Sequence, residues 1–460
     1  MTSIKDIYHN FKPWIWLAIA DIFVLWNALS GWNYYDVQYF IEWANVAWKY
    51  GILYVYQFCD KVAYPPIPVL LFVGLYTLAI TLGNNTILTL LVLKIPLIIA
   101  FNLIYVLLVK RDSLTAGKLW LISYASYTTI FGYQFDLIMV LLLLLVYFEI
   151  ISPKGSPWRA GLWMALAILV KHGIALLGFI PLLEYLKNKD YRSTRNYLIA
   201  GIVTGLMFTV PFLIVAPYSF IYKILLFHEN RYPQDLSLWA IPLYVTNYDY
   251  ARLPYIITWI WLPIYILVYS VFLLSLYRIR LSRERYIYAF VAGLVITLVL
   301  NKVGNLNYYV WILPFLAIML PRISNRFLTV LYVAIPFLIM GAYPAMIMYV
   351  PAVVHGSVFI TEDLSYYSAI WFIDRSFAPV MGGRVISFIE FLRNYYDFFK
   401  MLYVNTWLSS IIFTLIYNLY LFMFLRESFV KMGLSIEETF QFFKFSRKQS
   451  SRRAQLLLHH

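Results

Sequence analysis

Charged residues and cysteine are the scarce components of this sequence. Of its 460 residues, 13% are charged and 62% are hydrophobic. This composition excludes an ordinary soluble domain, in which about a quarter of the residues are charged. The single cysteine, Cys59, excludes an intramolecular disulfide and any metal cluster built from several cysteines. Acidic residues number 22 against 36 Lys and Arg, so the formal net charge is +14.

Long apolar runs dominate the sequence instead, and short polar loops separate them. A run of about 20 apolar residues is long enough to cross the hydrocarbon core of a bilayer as a helix. The pattern therefore predicts an all-α polytopic membrane protein with roughly twelve transmembrane helices. The predicted helices lie near 13–30, 86–109, 119–131, 136–151, 160–172, 174–186, 196–217, 256–277, 286–301, 308–320, 327–350 and 404–425.

The basic residues are concentrated in the short loops between apolar runs and in the carboxy-terminal tail. Cytoplasmic loops of membrane proteins carry such an excess of Lys and Arg, so these loops and both termini are predicted to lie inside. Anionic lipid headgroups account for this charge, and nucleic acid is not an expected partner. The clusters comprise Lys110, Arg111, Lys118, Lys154, Arg159, Lys187, Lys189, Arg192, Arg195, Arg278, Arg280, Arg283, Arg285, Arg322 and Arg326.

One apolar run near the amino terminus is predicted not to cross the membrane. The first span delivers Asp36 to the outer side, and Lys110 must be inside again. Two apolar runs, 66–82 and 86–109, lie between these residues, so one of them stays outside. Prolines open the shorter run, and 66–82 is therefore predicted to be an interfacial or re-entrant helix.

Three long stretches are left on the outer side, at 31–85, 218–255 and 351–403, and all are rich in Tyr, Trp and Phe. Loops of this length are usually functional or disordered, and the aromatic content argues against disorder. The polar candidates for chemistry all lie on this side of the predicted membrane.

Asp36 stands just outside the first span, at the start of a predicted amphipathic helix. Gln38, Glu42, Asn45 and Lys49 follow it at helical spacing and share one face. Such a helix is typical of the membrane surface. A carboxylate at a helix start is also a good cap, so a structural and a functional interpretation both remain open.

A second outer carboxylate, Asp136, begins a later predicted span, where it too is suited to a helix cap. Gln134 precedes it in the stretch Gly132-Tyr133-Gln134-Phe135-Asp136. Two outward carboxylates at the mouths of transmembrane helices, with Gln and Tyr beside them, predict a shared polar site.

Lys171 and His172 lie between two short apolar segments. An ionisable group at that depth is costly unless it is paired or hydrated, which indicates a functional role. The alternative is a lysine at a helix end whose amino group reaches the interface.

The outer stretch from His228 to Trp239 combines His, Glu, Arg, Asp and Trp. The planar guanidinium of Arg231 suits phosphate recognition, and Trp faces suit sugar rings. Lys302, in a short outer loop, is a further candidate cation. The alternative for the whole stretch is an interfacial loop with an aromatic belt.

These motifs, in this order, resemble the GT-C superfamily of glycosyltransferases that use polyprenyl-phosphate sugars. Asp36 and the later Tyr64-Pro65-Pro66 are similar to the superfamily's acidic residue and its Tyr-Pro-Pro segment. The stretch with Gln134 and Asp136 is similar to the Gly-His-x-Gln stretch of eukaryotic dolichyl-phosphate-glucose transferases and to the Gly-Gln-x-Asp stretch of prokaryotic mannosyltransferases. Lys171 is similar to the lysine after an apolar helix in both groups. The His228–Trp239 stretch is similar to their outer loop that ends near a Trp.

The resemblance implies an inverting transfer of one hexose, mannose or glucose, from a polyprenyl-phosphate donor. The implied acceptor is lipid-linked, glycan or protein, and the site faces outward at the plasma membrane. Asp36 is the expected general base, and the lipid phosphate is expected to leave without a general acid. No metal is expected, because basic side chains supply the positive charge near the phosphate. Lys171, Arg231 and Lys302 are expected to bind the donor phosphate. The expected substrate-binding residues are Tyr64, Gln134, Asp136, His172, His228 and Trp239.

The expected organisation is a GT-C-like catalytic module at 1–320, further transmembrane helices at 321–425 and a basic cytoplasmic tail at 426–460. A membrane transporter or lipid scramblase is the main alternative, since buried ions also line permeation paths. Such proteins often contain inverted repeats, which this sequence does not show. A membrane acyltransferase, with His172 as its base, is a further alternative.

Overall fold

The structure, a computed structural model, describes residues 4–83, 85–226, 231–323 and 325–434, with side chains from Pro13 onward. Within these ranges the chain is almost entirely helical. Its first helices are α1 (Ile4–Ser30), α2 (Tyr34–Tyr50), α3 (Val55–Phe58), α4 (Pro66–Leu82), α5 (Thr86–Arg111), α6 (Leu114–Leu121), α7 (Tyr124–Gly132) and α8 (Asp136–Ile151).

Short helices and 3-10 turns interrupt the middle of the chain. The helices here are α9 (Pro157–Val170), α10 (Phe179–Lys187), α11 (Tyr191–Val215), α12 (Pro217–Ile221), α13 (Ile241–Val245), α14 (Trp261–Arg278), α15 (Tyr286–Leu300) and α16 (Tyr309–Ile323). A 3-10 helix at His172–Gly178 separates α9 from α10. Two short strands, β1 (Gln234–Asp235) and β2 (Val303–Gly304), pair in parallel.

The carboxy-terminal part adds two long helices with several shorter elements between them. Its helices are α17 (Arg326–Pro344), α18 (Val350–His355), α19 (Ala369–Ser376), α20 (Pro379–Leu392), α21 (Tyr396–Val404) and α22 (Thr406–Met432). An antiparallel hairpin, β3 (Ser357–Ile360) and β4 (Ser365–Ser368), lies between α18 and α19.

Seven helical segments in the described residues are long and apolar enough to cross a membrane. They are Pro13–Ser30, Thr86–Arg111, Tyr191–Val215, Trp261–Arg278, Leu306–Ile323, Arg326–His355 and Thr406–Met432. The all-α polytopic membrane fold is therefore confirmed. The number of twelve spans stays a prediction, because the other predicted spans form shorter or broken helices. For example, the predicted span 119–131 is interrupted between α6 and α7.

The protein core lies along α15 and α16. The side chains of α15 are buried from Tyr286 to Val299, and those of α16 are buried over most of its length. Helices this apolar all round are expected at the centre of a bundle rather than against lipid. They pack against α8, α14 and α22, so the carboxy-terminal helix is part of the same bundle. The predicted divisions at 320 and 425 stay predictions, and α22 itself continues to Met432.

The two ends of the bundle differ in chemistry. At one end, the Lys118 ammonium lies 5.1 Å from the ring centre of Trp16, near the start of the candidate span Pro13–Ser30. Arg322, at the end of α16, forms an ion pair with Asp112, which follows α5. These basic residues from the predicted cytoplasmic loops lie at that end. The opposite end, where α1 stops and α2 begins, is called the Asp36 end below.

Helix α4 occupies the run 66–82, which is predicted to stay on the outer face. It is 17 residues long and packs against α2 and α5. The indole of Trp48 on α2 donates a hydrogen bond to Thr77 of α4 over 2.8 Å, and Phe40 packs on Phe72. Its length and its contacts with α2 agree with a helix that lies at the Asp36 end.

The stretch 351–403, predicted to lie outside, folds back onto the Asp36 end. The backbone N–H of Ala378 donates to the Ser30 carbonyl over 2.9 Å, and that of Trp32 donates to the Ser376 carbonyl over 2.7 Å. The end of α1 and the segment after α19 are therefore tied together. This contact brings the β3–β4 hairpin over the start of α2.

Candidate active site

Asp36 lies in the first turn of α2, but its carboxylate does not cap that helix. The cap position is Asn33, whose side-chain amide donates to Asp36 Oδ2 over 3.0 Å. The side-chain amide of Gln134 donates to the same oxygen over 2.5 Å. Asp36 is half-buried, and it lines two cavities. The functional interpretation of this carboxylate is thus favoured over the helix cap.

Burial controls the protonation of Asp36. Burial first, and then the negative charge of Glu362, raise the pKa of Asp36 to about 7, although the Gln134 hydrogen bond opposes this. Burial acts in this direction because a low-dielectric environment disfavours the charged carboxylate. A pKa near neutrality suits a group that accepts a proton during a reaction.

Gln134 follows the end of α7 and forms hydrogen bonds with both Asp36 and Tyr64. The preceding residue, Tyr133, adopts a left-handed backbone with φ 56° and ends α7. Its buried ring packs among Phe40, Phe72 and Phe135. The turn directs the Gln134 amide to Asp36, and the Gln134 carbonyl oxygen accepts a hydrogen bond from the Tyr64 hydroxyl over 3.3 Å. Three of the expected site residues, Tyr64, Gln134 and Asp36, are thus joined by hydrogen bonds in the structure.

Lys171 lies at the break that follows α9, and it joins the site from the membrane side. Its ammonium is 3.6 Å from Asp136 Oδ1 and about 5 Å from the ring centres of Tyr64 (5.0 Å) and Tyr308 (4.9 Å). Asp136 is fully buried and also accepts a hydrogen bond from the Trp311 indole over 2.5 Å. Asp136 therefore fixes the position of the Lys171 ammonium through this ion pair. Direct contact of Asp136 with substrate stays a prediction.

Arg231 enters the site from the opposite wall. Its Nε donates to Gln234 Oε1 over 2.8 Å, and a terminal nitrogen lies 3.1 Å from Glu362 Oε1. Gln234 is fixed in turn by the pairing of β1 with β2. The guanidinium thus has a rigid amide partner and an acidic partner.

The β3–β4 turn carries Glu362 into the site and is anchored on both sides of it. The Thr361 hydroxyl donates to Asp235 over 2.5 Å. The Asp363 carboxylate lies 2.9 Å from the Lys61 ammonium, which also donates to the hydroxyl of Tyr39 over 2.9 Å. Glu362 is therefore placed by its neighbours on the turn.

Lys302 and Trp239 have partners among the backbone carbonyls. Lys302 is buried, donates to the Thr258 carbonyl over 2.6 Å and lies 5.8 Å from the Trp261 ring centre. The Trp239 indole donates to the Leu300 carbonyl over 3.0 Å. Lys302 lines the cavity beside Arg231, whereas this bond of Trp239 supports the packing of its loop on α15.

The two predicted histidines have different outcomes. His172 is half-buried and lines the same cavity as Lys171. His228 lies outside the described residues. Substrate contacts of both histidines stay predictions.

Two cavities meet at Asp36. The first, called the cationic cavity, has a volume of about 440 Å³ and is lined by Asp36, Tyr64, Lys171, Arg231, Lys302 and Tyr308, among others. The second, called the aromatic cavity, has a volume of about 410 Å³ and is lined by Trp32, Tyr35, Phe131, Phe359, Phe372 and Phe377, among others. Asp36, Asn305 and Glu362 line both.

Residues 63–301 match the family model of glycosyltransferase family 87. The chain belongs to this family. The family has the GT-C fold, so the fold implied by the sequence motifs is confirmed, and the chain is a glycosyltransferase. The matched range contains Gln134, Lys171 and Arg231, whereas Asp36 and Glu362 lie outside it.

Among solved structures, this family 87 chain is similar to ArnT from Cupriavidus metallidurans, crystallised with undecaprenyl phosphate. The two chains are 14% identical, and the similar region covers 91% of this chain and 76% of ArnT with a TM-score of 0.44. A similarity at this score carries no argument about the reaction. No curated protein sequence matches the chain.

The described part of this glycosyltransferase contains no group of three or more His, Cys, Asp or Glu side chains placed to hold a metal ion. Transfer without a metal stays a prediction. The cations that face the cationic cavity are instead side chains, namely Lys171, Arg231 and Lys302.

Glu362 is the main site residue that the motifs do not reveal. It belongs to the stretch 351–403, for which the sequence shows no match to a known motif. The available signal is the acidic pair Glu362-Asp363 in an otherwise aromatic outer stretch. Its pairing with Arg231 depends on how the hairpin folds back, which sequence spacing does not show.

Proposed function

We propose that the chain transfers one hexose from a polyprenyl-phosphate donor to an acceptor hydroxyl, with inversion, on the outer face of the plasma membrane. The observation that carries this proposal is the position of Asp36 between the cationic and the aromatic cavity. A base at this position faces both a site for an anionic leaving group and a site for an attacking hydroxyl.

The cationic cavity is the proposed site of the donor phosphate. Arg231, Lys171 and Lys302 present three positive side chains to one space. Positive charge placed where the phosphate accumulates negative charge lowers the barrier of the transfer. A polyprenyl monophosphate is a weak base, so it leaves without receiving a proton. The sugar then lies between these cations and Asp36.

Asp36 is the proposed general base for the acceptor. The acceptor oxygen attacks the anomeric carbon and forms the new glycosidic bond, while the bond from that carbon to the phosphate oxygen breaks. The acceptor proton moves to the Asp36 carboxylate. One displacement, with a single carboxylate on the attacking side, inverts the anomeric configuration, as in inverting glycosidases.

Mannose and glucose donors are proposed from the sequence resemblance. The acceptor is a lipid-linked, glycan or protein hydroxyl. The aromatic cavity supports this arrangement because aromatic faces suit the C–H surfaces of sugar rings and apolar groups, and its wall includes Trp32 and Phe377.

The test uses the purified full chain in nanodiscs with radiolabelled polyprenyl-phosphate mannose or glucose and a membrane extract as acceptor. Wild-type protein is expected to form a glycosidic product of inverted configuration. Asp36→Asn is expected to reduce turnover by about 10²–10⁴-fold, because the amide accepts no proton, while donor binding is kept. The matched control is Asp60→Asn, an exposed carboxylate at the same end of the bundle.

Two results would contradict the proposal. Turnover of Asp36→Asn within threefold of wild type would exclude Asp36 as the base. Movement of labelled donor between leaflets of a vesicle, with no glycosidic product from any extract, would support a transporter instead.

A further inference from the structure

Lys94 is a fully buried lysine in the transmembrane helix α5, and the proposed reaction does not use it directly. It lies in the outer third of the 26-residue helix, with 0% of its surface exposed. Burying a lysine in a membrane helix costs free energy because the amino group loses its hydration. Hydrogen-bond partners in the protein must therefore replace the lost water.

Three backbone carbonyls surround the Lys94 side-chain nitrogen. It donates to the Gly31 carbonyl, to the Phe131 carbonyl over 3.0 Å and to the Asn27 carbonyl over 3.5 Å. The N–H groups of this one nitrogen therefore link carbonyls of two separate chain segments.

These carbonyls belong to the ends of two helices. Asn27 and Gly31 lie at the end of α1, and Phe131 lies in the last turn of α7. The last carbonyls of a helix lack partners within the helix and carry partial negative charge. The Lys94 side-chain nitrogen, hydrogen-bonded to Asn27 and to Gly31 directly after α1 and to Phe131 of α7, holds both ends in place.

The same two chain segments lead directly to the proposed base. Gly31 precedes α2 and Asp36, whereas Phe131 precedes the turn with Gln134. The Gln134 amide then meets Asp36 at 2.5 Å. The segment after α1 and the segment at the end of α7 are therefore joined twice. Lys94 joins them in the buried interior, and the Gln134–Asp36 hydrogen bond joins them at the cavity.

We propose that Lys94 is a positioning residue for the transfer reaction, because its side-chain nitrogen sets the spacing of the α1 and α7 ends at which Gln134 reaches Asp36. The inference rests on the proposed role of Asp36 as the base. It predicts that loss of the side-chain nitrogen breaks the Gln134–Asp36 hydrogen bond, although Lys94 itself lines neither cavity.

The competing interpretation is a purely structural role, in which Lys94 stabilises the packing of α1, α5 and α7. This interpretation predicts lower stability with unchanged titration of Asp36. The charged groups that act on Asp36 are Glu362, Lys171 and Arg231, and none of them contacts Lys94 in the described structure. A change in Asp36 titration therefore reports on the hydrogen bond from Gln134 or on the burial of Asp36, and the double variant separates these two causes.

The experiment compares Lys94→Met, Gln134→Leu and the double variant in nanodiscs. The titration midpoint of Asp36 is read by difference infrared spectroscopy of its carboxyl group against Asp36→Asn, and the turnover profile is measured beside it. The hydrogen bond from Gln134 favours the charged carboxylate, so its loss is expected to raise the midpoint by about one pH unit. Lys94→Met is expected to give the same rise, and the double variant no further rise.

Tyr105→Phe is the matched control, because it removes a hydrogen bond from α5 to the Pro13 carbonyl of α1 at the other end of the bundle. It is expected to leave the Asp36 midpoint unchanged. If Lys94→Met does not fold, Lys94→Gln replaces it, since its single amide nitrogen does not serve three carbonyls on two helices and an upward shift is again expected.

A wild-type midpoint in the folded Lys94 variant, or additive shifts in the double variant, would overturn the inference. The infrared midpoint needs no turnover, so the two proposals fail separately. Absence of any transfer by wild-type protein, with the predicted midpoint shifts present, would contradict the proposed function and leave the positioning contact in place.

Discussion

A fall in pH through neutrality is expected to convert the proposed base into its inactive form. Burial first, and then Glu362, raise the pKa of Asp36 to about 7. A base accepts a proton only when it is deprotonated, so activity is present above this pKa and is lost as the pH falls through it. For a pKa of about 7, the deprotonated fraction is roughly 9% at pH 6 and roughly 91% at pH 8. Turnover is therefore expected to rise about tenfold between these values.

The assay measures kcat/KM for the donor, at donor concentrations well below saturation, from pH 5 to pH 9 in nanodiscs at constant ionic strength, so that the profile reports the pKa of the free enzyme. The donor is a phosphodiester and keeps one negative charge over this range, so the profile reports on the protein. Glu362→Gln removes a charge that raises the pKa of Asp36, and its midpoint is expected at lower pH than that of wild type. Glu390→Gln removes an exposed carboxylate on α20 and is the matched control, with no expected shift.

Two outcomes would refute this reasoning. A profile that is flat from pH 5 to pH 8 would show that no group with a pKa near 7 limits the transfer. An upward shift in Glu362→Gln would show that Glu362 does not act on Asp36 through its charge, and the arrangement of the β3–β4 turn would then be wrong.

The remaining predictions concern the donor phosphate and the topology. Arg231→Gln is expected to weaken donor binding by about 10–150-fold, because a charge-assisted hydrogen bond to the phosphate is lost. The control Arg252→Gln, at an exposed arginine, is expected to leave donor binding unchanged. Equal donor affinities of Arg231→Gln and wild type would exclude Arg231 from the phosphate site. In a Cys59→Ser background, Thr86→Cys is expected to react with an impermeant maleimide in intact cells, and Arg111→Cys only after permeabilisation. The reverse labelling would contradict the predicted topology, since either α4 would cross the membrane or Thr86 and the proposed site would both lie on the inner face.

The parts of the site that the sequence reveals are those that depend on local pattern. Asp36 and Gln134 each lie just outside a predicted span, and Lys171 lies near the end of another, where two short apolar segments meet. Span ends at one end of a bundle converge in space. The structure brings all three to one cavity wall. Their convergence is therefore predictable from topology, although no pair of them is close in sequence.

Residues with long-range partners are less accessible to sequence reasoning. Asp136 is suited to a helix cap by its position, but its carboxylate meets Lys171 and Trp311, which depends on the packing of α8, α9 and α16. Glu362 lies in a stretch with no recognised motif. Lys94 does carry a signal, since a charge within an apolar run marks a functional or structural contact. The sequence does not show which three carbonyls accept hydrogen bonds from the Lys94 side chain.

The ion pairs of the site distinguish its two best-placed cations. Lys171 is paired with Asp136, whose side chain is 0% exposed, whereas Arg231 is paired with Glu362, whose side chain is 26% exposed. A buried pair is costly to separate, because each charge then lacks both water and partner. The half-buried carboxylate of Glu362, on the β3–β4 turn, becomes hydrated when it separates from Arg231. The donor phosphate is therefore expected to replace Glu362 on Arg231, while Lys171 keeps Asp136 and acts on the phosphate through its charge at longer range.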